Sequence, residues 1–344
     1  MSVFVAEELS EVLNTKVVIG RINMGLLNRI IIDDVLLDDQ SGQEMLKVTR
    51  LSAKFDIMPF FKGKISISSV QLFGFNINLR KETPDSPPNF KFVLDAFASK
   101  DTVKKENSLD LRINSILIRR GRMSYHVLSE EETPGKFNAK HIQLQNIIAN
   151  ISLKALSKDS LNLGIKRLSL DEKASGFSLK KMSLKLVANN KQTNIDNFTI
   201  ELPETSLKLD TIHLEYDSLK AFDRFTEQVH FSFRTLPSQV TLKDISPFVP
   251  ILSHFKEPVT LDMEVKGTVD QLTCSHLEIT ADDRQFRLRG DVSLQDLSRP
   301  QDAYVYGTLS ELSANTRGVG FLVRNLSPNY NGAVSYTHLT LPTT

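Results

Sequence analysis

The sequence contains no tryptophan and only one cysteine, Cys274, in 344 residues. A single cysteine excludes an internal disulfide and any multi-cysteine zinc site, and it leaves the redox compartment open, since a periplasmic protein need carry no disulfide. An excess of charge of either sign is lacking as well: 42 Lys+Arg stand against 41 Asp+Glu, a formal net charge of +1. Balanced charge gives no electrostatic reason to expect a nucleic-acid surface. Long hydrophobic runs are missing. The densest apolar stretches, Gly25-Leu26-Leu27, Ile30-Ile31-Ile32 and Val35-Leu36-Leu37, are broken by Asn28, Arg29, Asp33 and Asp34, whereas a spanning helix needs about 20 mostly apolar residues. No signal-peptide pattern stands at the N-terminus, and Met1 leads directly into amphipathic sequence, so an upstream segment is expected to be missing. There is no glycine-rich phosphate loop and no G-x-S-x-G elbow, so an enzyme is not expected.

What is present is apolar patterning. Hydrophobic residues make up 40% of the chain, too many for a disordered segment. Length alone suggests roughly two domains. No linker rich in Gly, Ser or Pro divides the chain, however, and residues 1–333 are expected to form one elongated unit. Val5, Leu9 and Val12 fall at helical spacing, predicting a helix over residues 3–13. The period then becomes two: Phe73, Phe75, Ile77 and Leu79 alternate with Gly74, Asn76 and Asn78, and Val259, Leu261, Met263 and Val265 repeat the pattern. The chain reads as mainly β.

A more specific pattern, apolar-x-apolar-x-x-apolar-x-apolar, recurs. It occurs as Ile65, Ile67, Val70, Leu72, as Leu111, Ile113, Ile116, Ile118, and as Leu163, Ile165, Leu168, Leu170. It returns as Phe177, Leu179, Met182, Leu184 and as Leu207, Leu209, Ile212, Leu214. On a helix these positions would scatter to opposite sides. On a strand, the polar pair in the middle (Ser68-Ser69, Asn114-Ser115, Lys166-Arg167, Lys180-Lys181, Asp210-Thr211) shifts the phase once. A β-bulge there restores the same apolar face and is the preferred reading; two short strands meeting at a corner is the alternative. Interruptions are few. Pro84, Pro87 and Pro88 place a loop over residues 83–89, Phe90, Val93, Leu94 and Phe97 predict a helix over 90–98, and residues 100–107 form a solvated charged stretch, so that a Pro-rich loop and helix occupy 83–107. A second helical turn is expected over Pro247-Phe248-Val249-Pro250-Ile251-Leu252, and hairpin turns at Gln40-Ser41-Gly42, Thr133-Pro134-Gly135 and Asp282-Asp283.

Candidate chemistry is sparse. Asp33, Asp34, Asp38 and Asp39 lack the alternating ligands and central glycine of a calcium loop, and a hairpin explains them as turn and solvent-face residues. Cys274 and His276 would share a strand face but have no orienting third group, so Cys274 is expected to be a half-buried residue in an edge region. His126, His141, His213, His230 and His254 show no ligand spacing. Arg119-Arg120-Gly121-Arg122 and Lys180-Lys181 could touch a phosphate headgroup, but without interleaved aromatics they read as solvated turns. No metal and no cofactor are expected.

Strands apolar on one face must bury that face. A sandwich, a solenoid or an open groove holding a ligand would each do so, and periodicity alone favours the first two. The residues carry a further signal. Ala6 to Ile22, then Asn28-Arg29-Ile30-Ile31-Ile32-Asp33-Asp34-Val35, Arg50-Leu51-Ser52-Ala53, Lys62-Gly63-Lys64-Ile65-Ser66-Ile67, Asn89 to Phe97 and Gly267-Thr268-Val269-Asp270 together resemble the AsmA/TamB family, Bacteroidetes type, over most of residues 3–333. The resemblance implies an elongated, curved antiparallel β-sheet (a β-taco or groove) with an apolar interior and a short N-terminal helix. It implies a protein of the periplasm attached to the inner membrane through an N-terminal anchor, which this chain lacks, and a phospholipid cargo conducted toward the outer membrane. An outer-membrane barrel partner of the TamA type is expected only through the family's long C-terminal region, also lacking here. Within such a groove the strand-face pattern assigns the lining to Ile65, Ile67, Val70, Leu72, Ile113, Ile116, Leu168 and Leu184. An alternative function is outer-membrane protein or autotransporter assembly by β-augmentation. Finally, Val334 to Thr343 resembles one reading frame of a transposase sequencing adapter, so residues 334–344 are expected to be an artefact closing a truncated reading frame.

Overall fold

A computed structural model describes residues 2–26, 28–55, 67–98, 114–156, 160–281, 285–297 and 302–326. The expected fold class is the observed one: mainly β, a single long, curved, antiparallel-dominated sheet with a short N-terminal helix. Helix α1 (Ser2–Leu13) ends where Asn14 turns into the left-handed region (φ +49) and the Asn14 and Thr15 amides bond back to the Glu11 and Ser10 carbonyls. Asn tolerates that conformation, which makes it a natural helix stop. The helix lays Ala6 onto Val17 and Ile19 and so covers the first strand.

Strands β1 (Val17–Gly25), β2 (Arg29–Asp38), β3 (Glu44–Phe55) and β4 (Ile67–Lys81) form an antiparallel meander. The chain then passes through the Pro-rich loop and helix α2 (Lys91–Ala98) and returns as β5 (Ser115–Val127), parallel to β4. A parallel pair requires such a crossover, because a tight turn cannot reverse direction twice. The meander resumes with β6 (His141–Leu156), β7 (Ser160–Glu172), β8 (Ser178–Asn189) and β9 (Gln192–Glu201).

Two broken strands follow. β10 (Ser206–Lys208) and β11 (Ile212–Glu215) both pair with β9, and β12 (His230–Arg234) and β13 (Ser238–Val240) both pair with β14 (Val259–Gly267). A 3-10 turn (Leu219–Arg224) and the single helical turn α3 (Phe225–Gln228) connect β11 to β12. β15 (Gln271–Ala281), β16 (Phe286–Gln295) and β17 (Tyr304–Ala314) complete the ladder, and α4 (Thr316–Leu326) follows. The second predicted helical turn is a 3-10 turn, shifted to Pro250–His254. The turns at Gln40–Gly42 and Thr133–Gly135 are present. Asp282-Asp283, the charged stretch 100–107 and residues 334–344 lie outside the described residues, as do Ile65 and Ile113 of the expected lining.

The polar pairs divide between the two readings. Ladder register shifts at Ser68-Ser69, Lys166-Arg167 and Lys180-Lys181, as a bulge requires. Asp210-Thr211 instead separates β10 from β11, the corner alternative, and Asn114-Ser115 marks the start of β5. A further set of irregularities stands where the same spacing recurs beyond the five repeats above, as Ile30, Ile32, Val35, Leu37 and as Val70, Leu72, Phe75, Ile77. Asp34, Gly74, Arg120, Asn146, Asn197 and His276 all have positive φ in mid-strand. Neighbouring ladder partners place Asp34, Gly74, Arg120 and Asn146 on one line across β2 to β6. Among these four positions the register shifts, as a bulge requires, only where Arg120 and Asn146 meet in the β5–β6 pair. At Asp34 and Gly74 the backbone turns left-handed with the register kept, and such residues aligned at one height add local twist to the sheet.

Candidate functional site

The register of the ladder assembles the apolar residues into rows that run across the sheet. One row is Met24, Ile30, Ala53, Val70, Ile116, Ile151, Ile165 and Leu184. A second is Ile22, Ile32, Leu51, Leu72, Ile118, Ala149, Leu168, Met182, Ile200 and Leu207, unbroken from β1 to β10. Residues directly opposite in a ladder point to the same side, so all of these lie on one face. Of the expected lining residues, Val70, Leu72, Ile116, Leu168 and Leu184 therefore share one face across β4, β5, β7 and β8. Each is half-buried. Ile67 lies in β4, paired with Phe55.

Beyond the line of left-handed residues the same face continues as Ile19, Val35, Val48, Phe75, Gly121 and Ile147, then as Val17, Leu37, Leu46, Ile77, Met123 and Leu144. The left-handed residues thus keep the apolar side in phase along β2, β4, β5 and β6. Val48, Phe75 and Ile147 are buried and pack with Leu72, Ile118 and Leu170. Yet among the described residues no second sheet packs on this face: apart from ladder neighbours, the main contacts are α1 with β1 and α2, and α4 with β16, β17 and the 3-10 turn at Pro250–His254. Side chains buried without a covering layer shelter one another on the inside of a curve. The segment after β13 shows how far the sheet curls. Phe248 sits with its ring 4.8 Å from that of Phe137, between β5 and β6, and 5.0 Å from that of Phe177, between β7 and β8. The Phe137 amide donates to the Pro247 carbonyl at 2.8 Å. Sequence reasoning misses Phe248 and this strap over the rim, because it sees only the local Pro-Phe-Val-Pro turn.

The other face is more polar, although Ile31, Phe73 and Leu117 lie on it. Asn150, Arg167, Lys181, Ser183 and Glu201 alternate with the rows, and Lys181 pairs with Glu201 at 3.2 Å. Arg119, Arg120 and Arg122 are exposed within β5 and do not form a turn, contrary to expectation; Arg120 lies over the Phe73 ring at 5.1 Å. With Lys47, Thr49 and Asn76, Arg120 and Arg122 line a 450 Å³ depression.

The acidic cluster also departs from expectation. Asp33, Asp38 and Asp39 are buried, and Asp34 alone of the four is exposed. Asp33 binds the Arg50 guanidinium through two hydrogen bonds of 2.6 and 3.3 Å, and this contact holds its pKa below the ordinary carboxylate value. Asp39 accepts from the Ser41 hydroxyl, the Ser41 and Gln43 amides, Arg80 and Asn89. Burial opposes its ionisation most strongly, but these donors together outweigh burial and its pKa is lowered. Asp39 and Asn89 tie the β2–β3 turn to the Pro-rich loop, beside a 680 Å³ cavity lined also by Leu13, Arg80 and Phe92. These acids are structural. So is Glu172, which no sequence motif marks: it is 3% exposed and accepts from the Gln143, Ala174 and Ser175 amides and the Ser175 hydroxyl.

Cys274 and His276 are separated by the bulge. Cys274 is buried in β15, which is paired on both sides and is not an edge strand, and burial together with Asp291 raises its thiol pKa. His276, at φ +55, points elsewhere and is 3.8 Å from Asp262. A protonated thiol is no nucleophile. Among the described residues no helix is long and apolar enough to cross a membrane.

No family model matches the chain, and no curated protein matches its sequence.

Proposed function

We propose that the chain is part of an AsmA/TamB-type conduit that carries phospholipid acyl chains along its apolar sheet face, in the periplasm, between the inner and outer membranes. The observation that carries this reading is the unbroken row from Ile22 to Leu207, flanked by parallel rows and covered by no second layer among the described residues. A continuous apolar surface lets an acyl chain move sideways without leaving contact, each buried CH₂ contributing about 0.8 kcal/mol. The headgroup stays in water at the open side. No step of this mechanism needs a reactive centre, in keeping with a protonated Cys274 and carboxylates committed to structural bonds. Attachment to the inner membrane and contact with an outer-membrane barrel belong to the same proposal and rest on the family resemblance. The test is lipid extraction of the purified chain followed by mass spectrometry. Co-purifying phospholipid is the expected result; a chain that carries none, and takes up none from fluorescent phospholipid vesicles, overturns the proposal.

A second reading has its own observation. β17 pairs only with β16 among the described residues, and Tyr304, Val305, Tyr306, Leu309 and Leu312 along it are all more than half exposed. An open edge with apolar side chains is a template for an added strand, as an assembly factor for outer-membrane proteins would need. Cross-linking of an extended outer-membrane-protein peptide to β17, with lipid absent from the preparation, would favour this reading over the first.

A further inference from the structure

His126 stands at the end of β5 and His141 opens β6, directly opposite it in the ladder. Fifteen residues of separation hide the pair from any motif, but the fold brings the two Nδ1 atoms to 3.0 Å. The rings are tilted by 52°, with centroids 5.3 Å apart. His141 is 6% exposed, and its Nε2 lies 2.9 Å from the Glu130 carbonyl oxygen. A carbonyl can only accept, so Nε2 carries a proton and the Nδ1 of the neutral ring is a lone pair. That lone pair faces His126. The exposed side chain of Glu132 brings its Oε1 to 3.9 Å from His126 Nδ1, and the three ligand atoms all lie within 4.8 Å of one another.

A tetrahedral ion bound at about 2.0–2.1 Å holds its ligand atoms about 3.3–3.4 Å apart. The two imidazole nitrogens are nearly at that separation already, and the solvent-facing Glu132 closes the remainder by a side-chain rotation. The backbone carbonyl on the far nitrogen of His141 is the kind of partner that fixes tautomer and ring orientation at metal-bound histidines. The loop that supplies the acid is itself held: Glu130 pairs with Lys140 at 2.6 Å, and the Asn138 amide donates to the Glu131 carbonyl at 3.0 Å. We propose that His126 Nδ1, His141 Nδ1 and Glu132 bind a divalent transition-metal ion of the zinc class, with water as the fourth ligand. The ion staples the β5–β6 connection at the rim where Phe137 meets Phe248. Two imidazoles and one carboxylate suit zinc far better than calcium or magnesium, which take oxygen. The site is independent of the lipid reading.

The test is titration of the chelator-stripped full chain with zinc chloride by calorimetry, with cobalt(II) absorption to report geometry. One equivalent bound with micromolar or tighter affinity, and a tetrahedral cobalt spectrum, are expected. Glu132→Gln, at an exposed position, leaves the metal-free melting temperature unchanged and weakens zinc at least tenfold; His126→Ala removes the site. Absence of saturable zinc binding in the wild-type chain, or wild-type affinity in both variants, overturns the proposal and leaves an imidazole–imidazole hydrogen bond only.

Discussion

Gly121 lies against the ring of Phe75, so closely that a β-carbon on it would stand 2.4 Å from two ring atoms and 3.0 Å from the Ile147 Cβ. The ring fills the place in the apolar row that a β5 side chain would otherwise take. Its φ is not left-handed, so the requirement for glycine here is space alone. Gly121→Val should destabilise the sheet by about 1–3 kcal/mol, the usual cost of overpacking. Urea unfolding measures it. In a Phe75→Leu background, Gly121→Ala should cost less than in the wild type, and a double-mutant cycle with no coupling would refute the contact.

Gly74, on the line of left-handed residues beside it, needs glycine for a different reason. Its φ is +65, and a β-carbon would meet Thr49 Oγ1 at 2.7 Å. Gly74→Ala should cost about 1–2 kcal/mol from the left-handed conformation. Adding Thr49→Ala relieves only the steric part, so thermal melts should show partial rescue.

The acid stability of the rim should depend on Glu172. Burial opposes its charge most, but the Ser175, Gln143 and Ala174 donors outweigh burial and its pKa is lowered. A carboxylate with a depressed folded pKa contributes stability that is fully present above its unfolded value, about 4.3, and is lost as pH falls toward the folded value. Glu172→Gln should therefore cost roughly 1.5–3 kcal/mol at pH 7. The gap to the wild type should narrow below about pH 4. A pH-independent gap in denaturant melts would contradict this account.

Much of this organisation is legible in the amino-acid sequence. The 0, 2, 5, 7 spacing locates bulges at Lys166-Arg167 and Lys180-Lys181 because a strand's phase is local information. It also places Val70, Leu72, Ile116, Leu168 and Leu184 on one face, since a bulge that preserves phase makes alternation predictive across the whole strand. What joins those residues into rows is register between strands, which is set by pairing over long separations. For the same reason the parallel β4–β5 pairing is invisible in the spacing, as are the contact of Phe248 with Phe137 and the meeting of His126 with His141. The buried acids escape for a different reason. Composition treats Asp33 and Asp39 as solvent-seeking, whereas each has enough donors to be buried charged: Arg50 for the first, and Ser41, Gln43, Arg80 and Asn89 for the second.

The conduit reading stands or falls on the two faces behaving differently. Ile116 sits in an apolar row between Val70 and Ile151, while Asn150, one residue before Ile151, lies on the polar face opposite Leu117 and Arg167. Ile116→Glu places a carboxylate where an acyl chain would have to pass and leaves the backbone ladder intact. It should reduce uptake of fluorescent phospholipid from vesicles at least tenfold, with strand content by circular dichroism unchanged. Asn150→Glu, beside exposed Arg167, adds the same charge one residue away from that row but on the other side of the sheet, and should leave uptake within twofold of the wild type. Equal loss in both variants would mean that charge or stability governs binding. Equal retention would mean that lipid does not travel over Ile116, and the apolar rows would then have to be explained by a protein strand or a second layer lying on them.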